Sequence, residues 1–236
     1  MDAGLSCKEI ERRLALMGRA ADRIDAIILT HEHIDHIRGA GAMARRYSLP
    51  VYATEGTIAA GAAHVGKLPR FVPVLAGRRF VIGDMELEPF TKCHDAADPF
   101  ALTISCGCAK LGIATDLGRC TRLVEDRLRG CGAIVIEFNH DPHMLENGPY
   151  PLFLKRRIRG SEGHLSNGEG ARLTASLVHE GLDTVVCAHL SETNNDPRTV
   201  WDEAHRCLVE AGARQVKLLV SDQGSPGPFV DLICGP

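Results

Sequence analysis

A dense group of histidines and one aspartate follows the first apolar strand that the sequence predicts. The segment I-L-T-H-E-H-I-D-H-I-R-G covers residues 28–39 and carries His31, His33, Asp35 and His36 within six residues. In an extended backbone, side chains two residues apart point the same way, so His31 and His33 can reach one metal ion. Asp35 and His36 come at the turn into a predicted helix and can face a second ion. Imidazole and carboxylate ligands suit Zn, Mn or Fe, and a pair of such ions can activate water.

Composition is typical of a globular chain without membrane spans. The 236 residues are 44% hydrophobic, and no run approaches the ~20 apolar residues that a transmembrane helix needs. The N-terminus also lacks a secretory leader pattern, and we therefore predict one soluble domain over residues 1–236 with a cytoplasmic location. Nine cysteines in a chain of this size predict reduced thiols. A net charge of −3 favours no general polyanion surface, so any contact with nucleic acid must be local.

Strand and helix patterns alternate at both ends of the chain, whereas the middle contains consecutive strands. The predicted strands cover residues 25–29, 51–53, 71–75, 79–82, 86–91, 101–106, 110–114, 133–138, 184–188 and 216–220. The predicted helices cover residues 7–16, 36–47, 57–64, 120–128, 151–159, 167–180 and 197–211. This mixture predicts an α/β fold with two packed sheets and helices outside.

The H-x-H-x-D-H pattern after a strand resembles the metallo-β-lactamase superfamily, whose fold is a four-layer αββα sandwich with metals at one edge of its sheets. The resemblance implies further ligands in later loops, and His94, Asp116 and His189 stand at predicted strand ends in T-K-C-H-D-A-A-D-P-F, I-A-T-D-L-G and V-V-C-A-H-L-S-E-T-N-N. It implies two divalent ions per chain, Zn, Mn or Fe, with Asp116 as the bridge. The implied ligands are His31, His33 and His94 for one ion, and Asp35, His36 and His189 for the other.

A longer series of motifs resembles one branch of that superfamily. H-D-A-A-D-P, A-T-D-L-G, E-F-N-H-D-P-H-M-L, G-P-Y-P-x-x-L-K-R-R-I, G-H-L-S-N and A-H-L-S-E-T-N-N occur in this order over nearly the whole chain. They are similar to motifs of the YycJ/WalJ branch, bacterial proteins regarded as DNA-processing exonucleases. The resemblance implies hydrolysis of phosphodiester bonds in DNA, in DNA processing or repair, with DNA preferred to RNA.

The same resemblance implies a catalytic role for His164, beside Asp35 and Asp116. In this branch and in ribonuclease J-like nucleases, the histidine of a G-H motif contacts the scissile phosphate, and Gly163-His164 occupies that place. The predicted substrate contacts in this loop are His164, Ser166 and Asn167. A dense basic run stands a few residues before His164, and its position predicts contacts of Lys155, Arg156 and Arg159 with flanking phosphates. Ser166 and Asn167 can also cap the following helix, whose N-terminus favours an anionic oxygen. Two plainer interpretations remain open: His164 caps its own loop, and the basic run is a solvated helix face.

Asp2, His140 and Asp141 are candidates for hydrogen bonds that orient the metal ligands. Asp2 belongs to a D-A-G motif that in the resembled family follows two strands, whereas here it follows Met1 directly. The resemblance therefore implies an N-terminally shortened fold with an exposed sheet edge, which a partner chain in a homodimer or another segment would cover. We also expect Asp2 to be poorly held.

Two other functions remain open at this point. The same ligands serve metallohydrolases of small molecules, such as a cyclic phosphodiester, a thioester or a lactone, and a closed pocket would favour that class. The chain could also be a metal-containing nucleic-acid-binding protein without catalysis, which DNA binding without cleavage would reveal.

Overall fold

The computed structural model describes residues 1–232, and the chain divides into two compact units. The first unit comprises Met1–Arg78 and Ala96–Phe100, and the second comprises Arg79–Asp95 and the chain from Ala101 onward. Among the described residues, no helix combines the length and the apolar character that crossing a membrane requires.

The first unit contains a small parallel sheet. Its strands lie in the order β1, β2, β3, with Ile27 opposite Val51 and Val51 opposite Phe71. The sheet and its helices enclose buried apolar side chains, among them Leu29 and Ile37. The elements are α1 (Cys7–Leu16), β1 (Ile27–Ile28), α2 (Ile34–Ile37), α3 (Ala40–Tyr47), β2 (Pro50–Ala53), α4 (Glu55–Val65) and β3 (Arg70–Pro73).

The first residues of the chain lie along the outer edge of β1. The Asp2 N–H donates to the Ile28 carbonyl at 2.7 Å, and the Ala3 N–H donates to the His36 carbonyl at 2.7 Å. The Ala3 carbonyl in turn accepts from the Gly39 N–H at 2.7 Å. The sheet edge that the sequence predicts to be exposed is therefore paired at Ile28 by this chain itself. The predicted homodimer stays a prediction.

The second unit contains a seven-stranded mixed sheet in the order β10, β9, β8, β7, β6, β5, β4. The strands from β7 to β10 run parallel, whereas β6 pairs with β7, and β4 with β5, in the antiparallel sense. The strands are β4 (Phe80–Ile82), β5 (Met85–Thr91), β6 (Phe100–Cys106), β7 (Ala109–Ala114), β8 (Ala133–Glu137), β9 (Thr184–Ala188) and β10 (Lys217–Val220). The helices are α5 (Arg122–Leu128), α6 (Pro142–Asn147), α7 (Leu152–Ile158), α8 (Asn167–Ser176) and α9 (Pro197–Glu210).

Each of the ten predicted strands overlaps one of the strands β1 to β10, although β1 contains only two residues. The predicted helix 36–47 is divided into α2 and α3 near Gly39, where a Cβ atom would lie 2.1 Å from the Leu5 carbonyl oxygen. Helix α6 was not predicted, although Asp141 caps it and Pro142 is its first residue. The predicted helix 167–180 ends at Ser176.

The cysteines differ from their prediction at one position. Seven of them are free thiols: Cys7, Cys93, Cys106, Cys120, Cys131, Cys187 and Cys207. Cys108 instead takes part in a disulfide, so the prediction of reduced thiols is wrong there. Cys108 is exposed beside Gly107, at the turn between β6 and β7. Cys234 lies outside the described residues.

Candidate metal centre

The first cluster of candidate ligands lies in the first unit, between the end of β1 and the first turn of α2. His31 is fully buried and His36 is 6% exposed. His31 Nε2 lies 3.2 Å from His33 Nδ1, and the rings of His31 and His36 have centroids 4.0 Å apart. Two imidazole nitrogens on one tetrahedral Zn ion lie roughly 3.3 Å apart, because each Zn–N bond is about 2.0 Å long. The spacing of His31 and His33 therefore fits a shared ion. The more exposed Asp35 places Oδ2 3.6 Å from His36 Nε2.

Asp2 and Thr30 fix which ring nitrogens of this cluster carry protons. Asp2 Oδ1 accepts from the Thr30 N–H at 2.8 Å, and Asp2 Oδ2 accepts from the Thr30 hydroxyl at 3.0 Å. Because the hydrogen of that hydroxyl points towards Asp2, the hydroxyl oxygen accepts a hydrogen bond from the His31 Nδ1–H group at 3.0 Å. His36 Nδ1 donates to Asp2 Oδ2 at 2.9 Å. The Nε2 atoms of His31 and His36 are thus the ring nitrogens that carry no proton and could bind a metal.

Asp2 is therefore held firmly, by its side chain and by its bond to Ile28, and the expectation that it is poorly held is wrong. The adjoining turn depends on Gly4. A Cβ atom at this position would lie 1.4 Å from the carbonyl oxygen of Asp35. Only glycine allows such an approach, which explains why the D-A-G motif contains one.

The second cluster lies in the second unit, where three neighbouring parallel strands end at the same edge of the sheet. Ala114 pairs with Ile136, and Glu137 pairs with Ala188. Asp116 follows β7, Glu137 ends β8, His189 follows β9, and His164 comes from the loop before α8. One ligand atom from each of Asp116, Glu137, His164 and His189 lies within 4.8 Å of the others. His189 Nε2 is 3.3 Å from Asp116 Oδ1.

Glu137 is the centre of this second cluster, and it was absent from the predicted site. Its carboxylate is fully buried and accepts five hydrogen bonds at 2.7 to 3.2 Å. The donors are His164 Nδ1, His189 Nδ1 and the backbone N–H groups of Asp116, Leu117 and Leu165. Burial by itself raises the pKa of Glu137, but the bonds from His164 and His189 outweigh it and lower the pKa to about 2. The sequence signal was a charged residue at the end of the apolar run A-I-V-I-E.

His94 and Lys92 approach Asp116 from the segment after β5. His94 Nδ1 donates to the Gly163 carbonyl at 3.2 Å, because a carbonyl can only accept, and His94 Nε2 lies 3.7 Å from Asp116 Oδ1. Lys92 is a second residue that the sequence interpretation missed. Its buried Nζ donates to the Thr115 carbonyl at 2.8 Å and lies 3.7 Å from Asp116 Oδ2. Lys92 and His94 therefore lie near different oxygens of the Asp116 carboxylate.

Left-handed backbone conformations coincide with candidate site residues. Among described residues other than glycine, φ is positive at Asp2 (51°), Ser48 (54°), Asp116 (56°) and His189 (59°). Ser48 ends α3 as an ordinary C-cap. At the other three positions the strained backbone is retained where a side chain must face a cluster.

The donors present fit divalent metal ions. Imidazole nitrogens and carboxylate oxygens are ligands that Zn, Mn and Fe share. In His31, His36, His94 and His189 the Nδ1–H group donates to an oxygen, so the unprotonated Nε2 can act as a metal ligand.

Residues 1–189 match the family described as the Beta-lactamase superfamily domain. The chain is 37% identical over 215 residues to "Exodeoxyribonuclease YycJ" of Bacillus anthracis, covering 90% of this chain and 81% of that protein.

The chain belongs to the beta-lactamase superfamily, in its YycJ/WalJ branch. It is also 36% identical over 217 residues to "Exodeoxyribonuclease WalJ" of Streptococcus pneumoniae, covering 89% of this chain and 78% of that protein. Among solved structures, the metallo-beta-lactamase fold protein YhfI from Bacillus subtilis matches 93% of this chain and 82% of its own, with a TM-score of 0.68 and 16% identity. The predicted fold class, α/β with the metallo-β-lactamase fold, is confirmed.

The G-H loop of this YycJ/WalJ-type chain presents His164 but buries Asn167. Ser166 caps α8 in a capping box with Glu169. The Asn167 side chain is fully buried and exchanges two hydrogen bonds with Asn195, at 2.8 and 2.9 Å. The predicted substrate contact of Asn167 is therefore wrong, because its amide is committed inside the protein. The predicted substrate contacts of His164 and Ser166 remain predictions.

The basic run divides into residues with and without internal partners. Lys155 Nζ donates to the Glu146 carbonyl at 2.7 Å, and Arg159 lies 3.8 Å from the Glu146 carboxylate. Arg157 forms an ion pair with Asp95. Arg156 is exposed and makes no side-chain hydrogen bond or ion pair within residues 1–232. Of the three predicted phosphate contacts in this run, Arg156 has the side chain most available to substrate.

The predicted orienting residues His140 and Asp141 hold their own loop. The His140 carbonyl accepts from the Asn167 N–H at 2.9 Å, and burial lowers the pKa of the His140 imidazole. Asp141 Oδ1 accepts from the Met144 N–H at 2.8 Å as the cap of α6. Glu137, rather than Asp141, is the carboxylate that orients His189.

Proposed function

We propose that this chain is a metal-dependent exodeoxyribonuclease, which removes nucleotides from the ends of DNA by hydrolysing phosphodiester bonds. It acts in DNA processing or repair. The observation that carries the proposal is the cluster around Glu137, which fixes His164 beside the candidate ligands Asp116 and His189. Relatives that share 36–37% of their residues with this chain over about nine tenths of its length carry the name exodeoxyribonuclease, which supports DNA as the substrate.

The chain supplies ligands of the right chemistry for two divalent ions. The proposed assignment follows the order of the motifs along the sequence and the family to which the chain belongs. One ion is held by His31, His33 and His94. The other ion is held by Asp35, His36 and His189, and both ions share Asp116. When bound, such a pair of ions supplies a nucleophilic hydroxide at neutral pH and offsets charge on the phosphate.

The protein's own groups orient the substrate and hold protons. Glu137 accepts a hydrogen bond from the Nδ1–H group of His164. The opposite ring nitrogen, Nε2, is therefore the one that faces the phosphate. In the protonated ring, Nε2–H donates to a phosphate oxygen as negative charge develops there. Lys92 Nζ lies 3.7 Å from Asp116 Oδ2 and helps to hold this proposed ligand in place.

The test is hydrolysis of end-labelled single-stranded and double-stranded DNA by protein supplied with Zn or Mn. We expect release of nucleotides from the ends, loss of activity on chelation, and a loss of about a hundredfold or more in Asp116→Asn. Asn tolerates the left-handed backbone at this position, so the variant should fold. Asp202→Asn, an exposed change on α9, is the matched control and should retain full activity.

Hydrolysis by chelator-treated, metal-free protein would contradict the proposal. Turnover of a cyclic phosphodiester, a thioester or a lactone with DNA left intact would instead support the small-molecule hydrolase. Stoichiometric DNA binding without cleavage in the presence of metal would support the non-catalytic binding protein.

A further inference from the structure

Helix α7 exposes an aromatic side chain that the fold does not use. Phe153 is 73% exposed and its neighbour Leu152 is 58% exposed, although aromatic residues make up only 5% of the chain. We propose that Phe153 is a stacking platform for an unpaired base of DNA and that Arg156 contacts the adjoining phosphate. This inference rests on the proposed function and deepens it, because it makes a single-stranded end the form of DNA that the enzyme takes up.

Phe153 shares one face of α7 with two arginines. Residues three and four positions apart in a helix are neighbours on its surface, so Phe153 lies beside Arg156 and Arg157. Arg156 is exposed, and within residues 1–232 it makes no side-chain ion pair or hydrogen bond. The face therefore combines an apolar ring with an available cation, the two features with which proteins bind single strands.

This face is connected to a candidate metal ligand. Arg157 Nε donates to Asp95 Oδ2, and Asp95 Oδ1 lies 3.7 Å from His94 Nε2. The Asp95 N–H also donates to the Glu162 carbonyl at 3.0 Å, in the loop that presents His164. Phe153 stands four residues before Arg157, or about 6 Å further along the helix axis at 1.5 Å per residue. A strand whose phosphate lies at His94 and His164 can thus place a nearby base on Phe153.

The other cations in α7 and at its C-terminal cap have internal partners. Lys155 and Arg159 both face Glu146, whose main-chain and side-chain oxygens lie within 3.8 Å of them. Arg156, next to Phe153, is accordingly the positively charged side chain of this helix that is most available to an incoming phosphate. In a duplex the interior bases are stacked on both faces and only the terminal pair has a free face, whereas an unpaired base offers its faces to a protruding ring. The positive charge beside the ring favours a nucleic acid over a second copy of this chain as the occupant.

The experiment compares binding of metal-loaded enzyme to a short phosphorothioate DNA strand that resists cleavage. The strand carries 2-aminopurine near its end, and fluorescence anisotropy and base fluorescence are both recorded. We expect Phe153→Ala to weaken binding about tenfold and to abolish quenching of the 2-aminopurine, whereas Phe153→Tyr keeps both. Trp201→Ala, which removes another partly exposed aromatic ring from the same unit, is the control and should bind as the wild type does.

A strand with abasic positions separates stacking from general effects. Wild type and Phe153→Ala should bind that strand equally well, and Arg156→Ala should weaken binding to both strands while lowering the dependence on salt. The proposal is overturned if Phe153→Ala binds the normal strand as tightly as wild type, or loses the same factor on the abasic strand. It is also overturned if the substitution only dissociates a dimer. Failure of the proposed function would appear in the wild type itself, as the absence of any DNA hydrolysis.

Discussion

At the scale of single residues, Glu137 connects three segments of the second unit that are far apart in sequence. Its oxygens accept from the Asp116–Leu117 turn, from the His164–Leu165 loop and from His189. A carboxylate has only acceptor positions, so it can serve all five donors at once. This explains how Asp116 and His189 keep their left-handed backbones in place.

Glu137→Gln should therefore reduce both stability and metal affinity. The amide group of Gln brings two N–H donors towards groups that are themselves donors, and the buried donors it leaves unpaired cost about 3 kcal/mol of unfolding free energy. Urea denaturation and calorimetric titration with Zn measure the two effects. Glu210→Gln, at an exposed position on α9, should change the unfolding free energy by less than about 0.5 kcal/mol. Equal stability of the two variants would show that Glu137 does not organise the cluster.

At the scale of elements, the connection from α7 to α8 determines where His164 lies. The His164 N–H donates to the Ile158 carbonyl at 2.9 Å, and the Gly163 N–H donates to the Gly160 carbonyl at 2.9 Å. A Cβ atom at Gly163 would lie 2.2 Å from the carbonyl oxygens of Arg157 and Ile158. The close approach of the loop to the end of α7 thus requires glycine in the G-H motif.

Gly163→Ala should displace the loop and impair catalysis. The new methyl group meets backbone atoms that cannot rotate away, and we expect about 2 kcal/mol of lost stability. Because His164 moves with the loop, kcat for DNA hydrolysis should fall more than KM changes. Gly227→Ala is the control, since a Cβ atom there meets nothing within 4 Å. Unfolding and kinetics identical to those of Gly227→Ala would refute this account of the loop.

At the scale of the whole molecule, each compact unit has one sheet and one core, and each presents a cluster of candidate ligands. Ions that bind the folded chain but not the unfolded one stabilise it by mass action. At a hundredfold excess over Kd, each bound Zn or Mn ion should add about 2.7 kcal/mol. For a chain of this length that corresponds to a rise in Tm of roughly 5 to 10 °C.

Differential scanning calorimetry of metal-free protein, with and without added metal, measures this shift. Chelation should reverse it, and Asp116→Asn should reduce it because a proposed shared ligand is weakened. A Tm that does not respond to any of Zn, Mn or Fe would contradict the proposed metal centre without reference to activity.

The strands and most helices could be predicted because alternation, helical periodicity and caps are local properties of the sequence. The same is true of the group from His31 to His36, whose members are brought together by a strand end and one helical turn. The candidate ligands His94, Asp116 and His189 could be named because they occupy strand ends in an expected order. Helix α6, with its Asp141 cap and Pro142, had a local signal that the sequence interpretation did not use.

Only the tertiary structure decided the features that depend on residues distant in sequence. Glu137 reaches His164 and His189 because β8 pairs between β7 and β9, and no local pattern contains that pairing. Burial of Asn167 against Asn195 and exposure of Phe153 were decided in the same way. The sequence by itself determined which side chains can bind metal, since that depends on residue type and short spacing. Tertiary packing determined which of them are oriented, buried or left facing solvent, since a side chain's partners depend on which elements become neighbours.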